Sequence, residues 1–119
     1  MRSVPLTEYG SVTLDGNGNG TIQLGPTRHA NVWHPSSTQI STTGSLSTNS
    51  TPGATCAIYC GGLVNPVSFV DSTFDVTGAA SSVIGGQVIY CGQSVFAVWT
   101  GATPSCLATL IVYGTQDTV

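Results

Sequence analysis

Ser94-Val95-Phe96-Ala97-Val98-Trp99-Thr100 and Leu107-Ala108-Thr109-Leu110-Ile111-Val112-Tyr113-Gly114 are rich in β-branched and aromatic residues and decide the fold. Together with Gln87–Cys91 they are expected to be the strongest strands. All three are apolar on both sides, which suits central strands or faces covered by another subunit. Nowhere do apolar residues recur at helical spacing over the roughly 11 residues a helix needs. Short alternating runs separated by Gly, Asn, Asp and Pro appear instead.

Working outward, Val12 and Leu14 alternate with polar neighbours, as do Ile22 and Leu24. Gly16 to Gly20, all Gly and Asn, lie between them, and the pattern predicts a hairpin ended by Gly25-Pro26. Val32-Trp33-His34 predicts a short strand closed by Pro35, and Thr38–Thr43 another. Thr55–Cys60 puts Cys56, Ile58 and Cys60 on one face and Ala57 and Tyr59 on the other. Shorter pieces are expected at Ser68–Asp71 and Phe74–Thr77. About eight regularly spaced strands imply an all-β chain, a single antiparallel β-sandwich over residues 1–119 and jelly-roll-like. An up-and-down barrel of similar size fits the same spacing. Residues 1–8 are expected to form an N-terminal arm, and 44–53 a Ser/Thr-rich loop.

Composition narrows the function. Of the 119 residues 40% are hydrophobic and only 6% charged, against about 25% charged in an ordinary soluble domain. Lys is absent, Arg2 and Arg28 are the only Arg, and Ser and Thr make up about a quarter of the chain. So few charges protect poorly against self-association, so neighbours in an assembly are expected to cover much of the surface. A net charge of −3 without a basic cluster argues against nucleic acid. Met1–Pro5 leads into polar residues with no signal-peptide core, and the apolar run Leu107–Tyr113 is far too short to span a membrane.

Candidate chemistry is sparse. Cys56 and Cys60, four residues apart on one strand, would have Cα atoms roughly 13 Å apart, too far for a disulfide. Either could pair with Cys91 or Cys106, but four reduced, buried thiols are the expectation without a secretory signal. Their spacing matches no zinc pattern. Asp15-Gly16-Asn17-Gly18-Asn19-Gly20 opens like a calcium loop, yet Pro26 stands where the twelfth-position Glu belongs, which leaves a turn. His29 and His34 flank Trp33 without an Asp, Glu or Cys nearby to complete a metal set. No Gly-x-Ser-x-Gly elbow is present. Asp71 and Asp75 would stand roughly 13 Å apart, too far for a glycosidase pair. No catalytic residue, cofactor or metal is therefore expected. Trp33 and Trp99, with Arg28 and His34 nearby in kind, are the candidates for a contact surface or for stacking on a host-surface glycan. The sequons at Asn19 and Asn49 carry meaning only on a secretory route.

Three segments carry a resemblance: Gly10–Trp33, Ser68–Gly78 and Gly92–Thr115, with Leu-Gly-Pro-Thr-Arg, Phe-Val-Asp and Ala-Val-Trp-x-Gly in that order. The sequence resembles small all-β virion structural proteins of tailed phages that infect actinobacteria. The Ser/Thr stretch, Cys60 and Cys91 stand apart from that pattern. The resemblance implies a non-enzymatic virion component assembled in the host bacterial cytoplasm. Its implied partners are copies of itself and the major capsid protein or tail proteins. A capsid accessory or decoration subunit is the first expectation, and a minor tail or tail-tip protein with a carbohydrate-binding face the second.

Overall fold

Where side chains alternate between water and neighbours, the chain is extended. A computed structural model of the protein describes residues 2–43, 55–62, 64, 69–74, 78–83, 87–101 and 105–118. The predicted 44–53 loop lies outside the described residues. Eight strands are present: β1 (Arg2–Thr13), β2 (Gly20–Leu24), β3 (Asn31–Thr43), β4 (Thr55–Gly61), β5 (Phe69–Phe74), β6 (Gly78–Val83), β7 (Ser94–Thr100) and β8 (Leu107–Thr118). No helix occurs among the described residues.

Pairing follows a simple rule. Each strand of the first half joins its counterpart counted from the other end, β1 with β8, β2 with β7, β3 with β6 and β4 with β5. A ribbon of antiparallel pairs results. Further pairing of β3 with β8 and of β4 with β7 rolls it into two four-stranded sheets. Their orders are β1-β8-β3-β6 and β2-β7-β4-β5. This is the two-sheet arrangement of a jelly roll, and it bears out the expected antiparallel sandwich. The closed barrel is set aside because no strand pairing joins the two sheets among the described residues.

The core lies between the sheets. From one side Leu6, Ile40, Ala108, Leu110 and Val112 point inward, and from the other Ile22, Cys56, Ile58, Val95, Ala97 and Trp99, all buried. The two sheets differ in length. β1, β3 and β8 have 12, 13 and 12 residues, whereas β2, β4 and β7 have 5, 7 and 7. At roughly 3.3 Å per residue, one sheet runs about 40 Å and the other only about 17–23 Å. The long sheet therefore overhangs the short one at the end holding the start of β1, the start of β3 and the end of β8.

Four local expectations are corrected. Residues 2–8 are no arm, because β1 pairs with β8 from Arg2 to Thr13. Ser3 Oγ donates to Asp117 Oδ1 and secures that end. The turn at Asp15–Asn19 is real, with Gly18 N donating to Asp15 O at 3.0 Å and Gly18 at φ 75°. It does not close a hairpin, because β1 and β2 belong to different sheets. Val32–His34 and Thr38–Thr43 are parts of one strand. Pro35, which has no N–H to give the ladder, is absorbed by a bulge between Pro35 and Ser37. Gln87–Cys91 is not a strand. It meets β3 through one bridge, Trp33 to Ile89, with both N–O distances 2.9 Å. Ile89 is buried while Val88 and Tyr90 are exposed, so this apolar run plugs the overhang with a single side chain.

Beside the bulge, Gly114 faces Pro35 across the ladder. A Cβ on Gly114 would lie 2.2 Å from His34 O and 2.8 Å from Pro35 Cα. Backbone cannot swing aside as a side chain does. Gly114→Ala is therefore expected to cost about 2–3 kcal/mol or to prevent folding. Gly16→Ala, with nothing within 4 Å of the new atom, should stay within about 0.5 kcal/mol of the parent. Urea unfolding of both variants checks this. The Ser3 hydroxyl, and after it His34, holds the Asp117 carboxyl below its usual range. A depressed folded pKa contributes stability above the unfolded value and loses it as pH falls through the folded one. The melting-temperature gap between the parent and Asp117→Asn should then narrow as pH drops from about 6 to 2, mostly below about 4. Calorimetry across that range measures it.

Candidate functional site

Strand-length mismatch creates a recess that combines charged and polar side chains. Beyond Leu24 the short sheet ends, and the connection between β2 and β3 folds under the long sheet, burying Pro26. What it leaves open is a cleft of about 570 Å³. Glu8, Gln23, Thr27, Arg28, Asn31, Trp33 and Gln116 provide its polar lining, and Leu24 and Pro26 an apolar side.

Each of these comes from a different reason of local structure. Glu8 has the inward register of β1, beside the fully buried Val112 of β8, but lies on the overhang with its side chain exposed. Arg28 lies at a tight turn closed by Asn31 N donating to Arg28 O at 3.0 Å. Gln116 is the inward residue of β8 opposite Trp33. Trp33 Nε1 donates to Gln116 Oε1 at 3.0 Å, which turns the Gln116 amide nitrogen away from that bond. Thr118 Oγ1 donates to Asn31 Oδ1 at 3.3 Å, with the same effect on Asn31. Both amide oxygens are thus used within the protein, and both NH₂ groups stay available as donors.

The predicted stacking residues need correction. Trp33 is 4% and Trp99 1% exposed, so neither offers a ring face to a sugar. Trp33 covers the overhang, and Trp99 fills the middle of the short sheet between β2 and β4. The Trp99 Nε1–H has no hydrogen-bond partner among the described residues. Arg28 does reach a recess. His34 does not share it and lies on the outer side of the long sheet, its Nε2 donating to Asp117 Oδ2 at 2.9 Å. Glu8, Asn31 and Gln116 were not singled out from sequence. Only the inward register of Glu8 on an alternating strand could have pointed to one of them.

Cys56, Cys60, Cys91 and Cys106 are all free thiols. Burial pushes Cys56 up to about 12 and Cys60 up to about 11, which keeps both protonated and unreactive near neutral pH. Asp15, read as the head of a turn, accepts from the backbone N–H of Asn17 at 2.8 Å and of Asn19 at 3.0 Å. These bonds, that of Asn19 foremost, hold its carboxyl below the usual range. The loop spends its carboxylate on its own backbone. No group of three metal-ligating side chains occurs among the described residues.

A second feature is the outer side of the long sheet. Thr7, Tyr9, Ser11 and Thr13 of β1 point outward beside Leu107, Thr109, Ile111 and Tyr113 of β8. Ser37, Gln39 and Ser41 of β3 continue the same surface. Hydroxyls bridge neighbouring strands, Ser11 Oγ with Thr109 Oγ1 at 3.2 Å and Tyr113 Oη donating to Gln39 Oε1 at 3.3 Å. Those outward positions carry no charge, and the His34–Asp117 pair stands at their end. Tyr9 is 72% and Leu107 43% exposed.

Neither a family model nor a curated protein matches this sequence. Among solved structures, it is similar to a chain in the acidic stable capsid structure of Helicobacter pylori bacteriophage KHP30. That likeness has 8% identity and a TM-score of 0.51, and covers 98% of this chain and 93% of that one. The chain is also similar to the Yersinia pseudotuberculosis-derived mitogen, with 13% identity, a TM-score of 0.43, and coverage of 93% and 87%. Empty-head turnip yellow mosaic virus gives 13% identity, a TM-score of 0.41, and coverage of 98% and 80%. At such identities the likeness to the phage capsid chain is one of fold, spanning both chains nearly end to end.

Proposed function

We propose that this protein is a non-enzymatic structural subunit of a tailed-phage virion, a capsid accessory or decoration protein that acts through contacts between subunits. The observation that carries this reading is the uncharged outer surface of the long sheet. Burying it against a neighbour strips water from hydroxyls, three of which (Ser11, Thr109 and Tyr113) already bond across strands, and from Tyr9 and Leu107, but from no ion. Such a surface can be covered at low desolvation cost and repeated by symmetry. A jelly roll hosts many functions, so the fold shared with the phage capsid chain agrees with this reading without deciding it. A minor tail or tail-tip protein with a host-surface-binding face is the second reading, favoured by the open polar cleft.

Copy number separates the two. A decoration subunit should appear at tens to hundreds of copies in purified particles by quantitative mass spectrometry, and a tail-tip protein at a handful. A lysine in the middle of the uncharged surface tests the contact itself. Ser11→Lys should fold with a stability change within about 0.5 kcal/mol and yet fail to join particles, because its ammonium would be buried unpaired. Incorporation at the parental level would refute the assignment of that surface.

A further inference from the structure

We propose that the cleft between β1, the β2–β3 connection and the end of β8 binds a carboxylate-bearing sugar unit, a hexuronic acid or its like. The proposal rests on the cleft of the single chain and holds wherever the protein sits in a particle.

Charge placement is the first argument. Only seven side chains are formally charged, two Arg and five Asp or Glu. Two of the seven, Glu8 and Arg28, line this one recess. Among the described residues the ion pair is His34 with Asp117, and neither Glu8 nor Arg28 takes part in one. Glu8 takes the inward register between Leu6 and Gly10, yet its side chain is exposed at the overhang, so the carboxylate stays hydrated at the mouth of the cleft and free to meet a ligand.

The second argument is the polarity of the hydrogen-bonding groups. Trp33 Nε1 can only donate, so Gln116 must turn its oxygen to it and its NH₂ outward. Thr118 Oγ1 occupies Asn31 Oδ1 likewise. With the Arg28 guanidinium and the Thr27 hydroxyl, donors outnumber acceptors in the lining, whose acceptors are the Glu8 carboxylate and the amide oxygen of Gln23, its Nε2 being spent on Ser94 Oγ at 3.0 Å. Its complement has a carboxylate for Arg28, ether and hydroxyl oxygens for the amides, and vicinal hydroxyls for Glu8. A sugar acid has all three. A peptide C-terminus has the carboxylate but no vicinal hydroxyls to meet Glu8, and Leu24 and Pro26 can take the apolar face of a sugar ring as readily as a side chain. The volume of about 570 Å³ lies in the range of small-molecule sites. Recognition here is by hydrogen bonds at the edge of Trp33, not by stacking on its face.

The test titrates the ¹⁵N-labelled full chain with methyl β-D-glucuronide, methyl β-D-glucoside and N-acetylglycine, followed by NMR. Glucuronide should bind in the millimolar range and shift the Trp33 Nε1–H and the Gln116 side-chain NH₂ resonances. Glucoside and N-acetylglycine, each lacking one half of the recognition, should bind about tenfold more weakly or not at all. Arg28→Gln should reduce glucuronide affinity about tenfold or more, and Glu8→Gln should do so while leaving N-acetylglycine unchanged. Both variants alter side chains at the cleft rim, and an unchanged spectrum elsewhere verifies their fold. No shift at Trp33 or Gln116 with glucuronide overturns the proposal. Equal binding of N-acetylglycine overturns it in favour of a peptide carboxylate. Neither result would bear on particle copy number, so the virion reading fails or stands separately.

Discussion

Strand β8 is paired along its whole length on both sides, by β1 from Arg2 to Thr13 and by β3 from Asn31 to Thr43, while the sheet packed against it stops about halfway. An apolar sheet face without a partner sheet is costly, so the overhang has to be covered by something other than strand. Two connections do it. One contributes Ile89, tied to Trp33 by a reciprocal pair of backbone hydrogen bonds, and the other the buried Pro26. Irregular segments cannot tile a sheet as another sheet would, and the space they leave becomes the cleft. The same crowding explains Gly114, where β3 is pushed toward β8 by the bulge at Pro35.

The small number of ions is as informative as their placement. Asp15 is engaged by the backbone of its own turn, and Asp117 by Ser3 and His34 at one end of the long sheet. These two carboxylates stand at a turn and at one end, Glu8 and Arg28 line the recess, and the outer surface of β1 and β8 is left to hydroxyls and two exposed apolar side chains. A surface of that kind is poor at keeping copies apart in solution and well suited to lasting contact.

Much of the fold was legible because alternation is a local property. Thr55–Cys60, Ser94–Thr100 and Leu107–Gly114 carry enough β-branched and aromatic residues to be recognised alone, and all three lie in strands. Where the reading failed, the deciding contact was distant. Val12–Leu14 and Ile22–Leu24 flank a real turn, but only β8 and β7 determine that they go to separate sheets. Arg2–Glu8 conceals its strand behind Pro5 and a Glu8 in the inward register, and it is extended because the end of β8 reaches far enough to pair with it. Val88-Ile89-Tyr90 reads as a strand because a plug for an apolar wall and a buried strand need the same residues. The cleft was illegible for a related reason. Glu8, Arg28 and Gln116 are separated by most of the chain, and no spacing rule connects them.

The pairing of each strand with its counterpart from the other end has a kinetic side. Loop-closure entropy rises with the length of chain between partners, so β4 with β5 has the least to overcome and β1 with β8 the most. A ribbon zipped from its middle outward would complete both sheets only at the last step, the slow course expected of folds dominated by distant contacts. Until then the long edge of β8 meant for β1 stays open to any other extended chain. In a cell making many copies at once, the interval before β1 docks is the period of greatest risk of mispairing. The Gly- and Asn-rich turn after β1, held by Asp15, shortens the search by keeping that strand beside the core it must join.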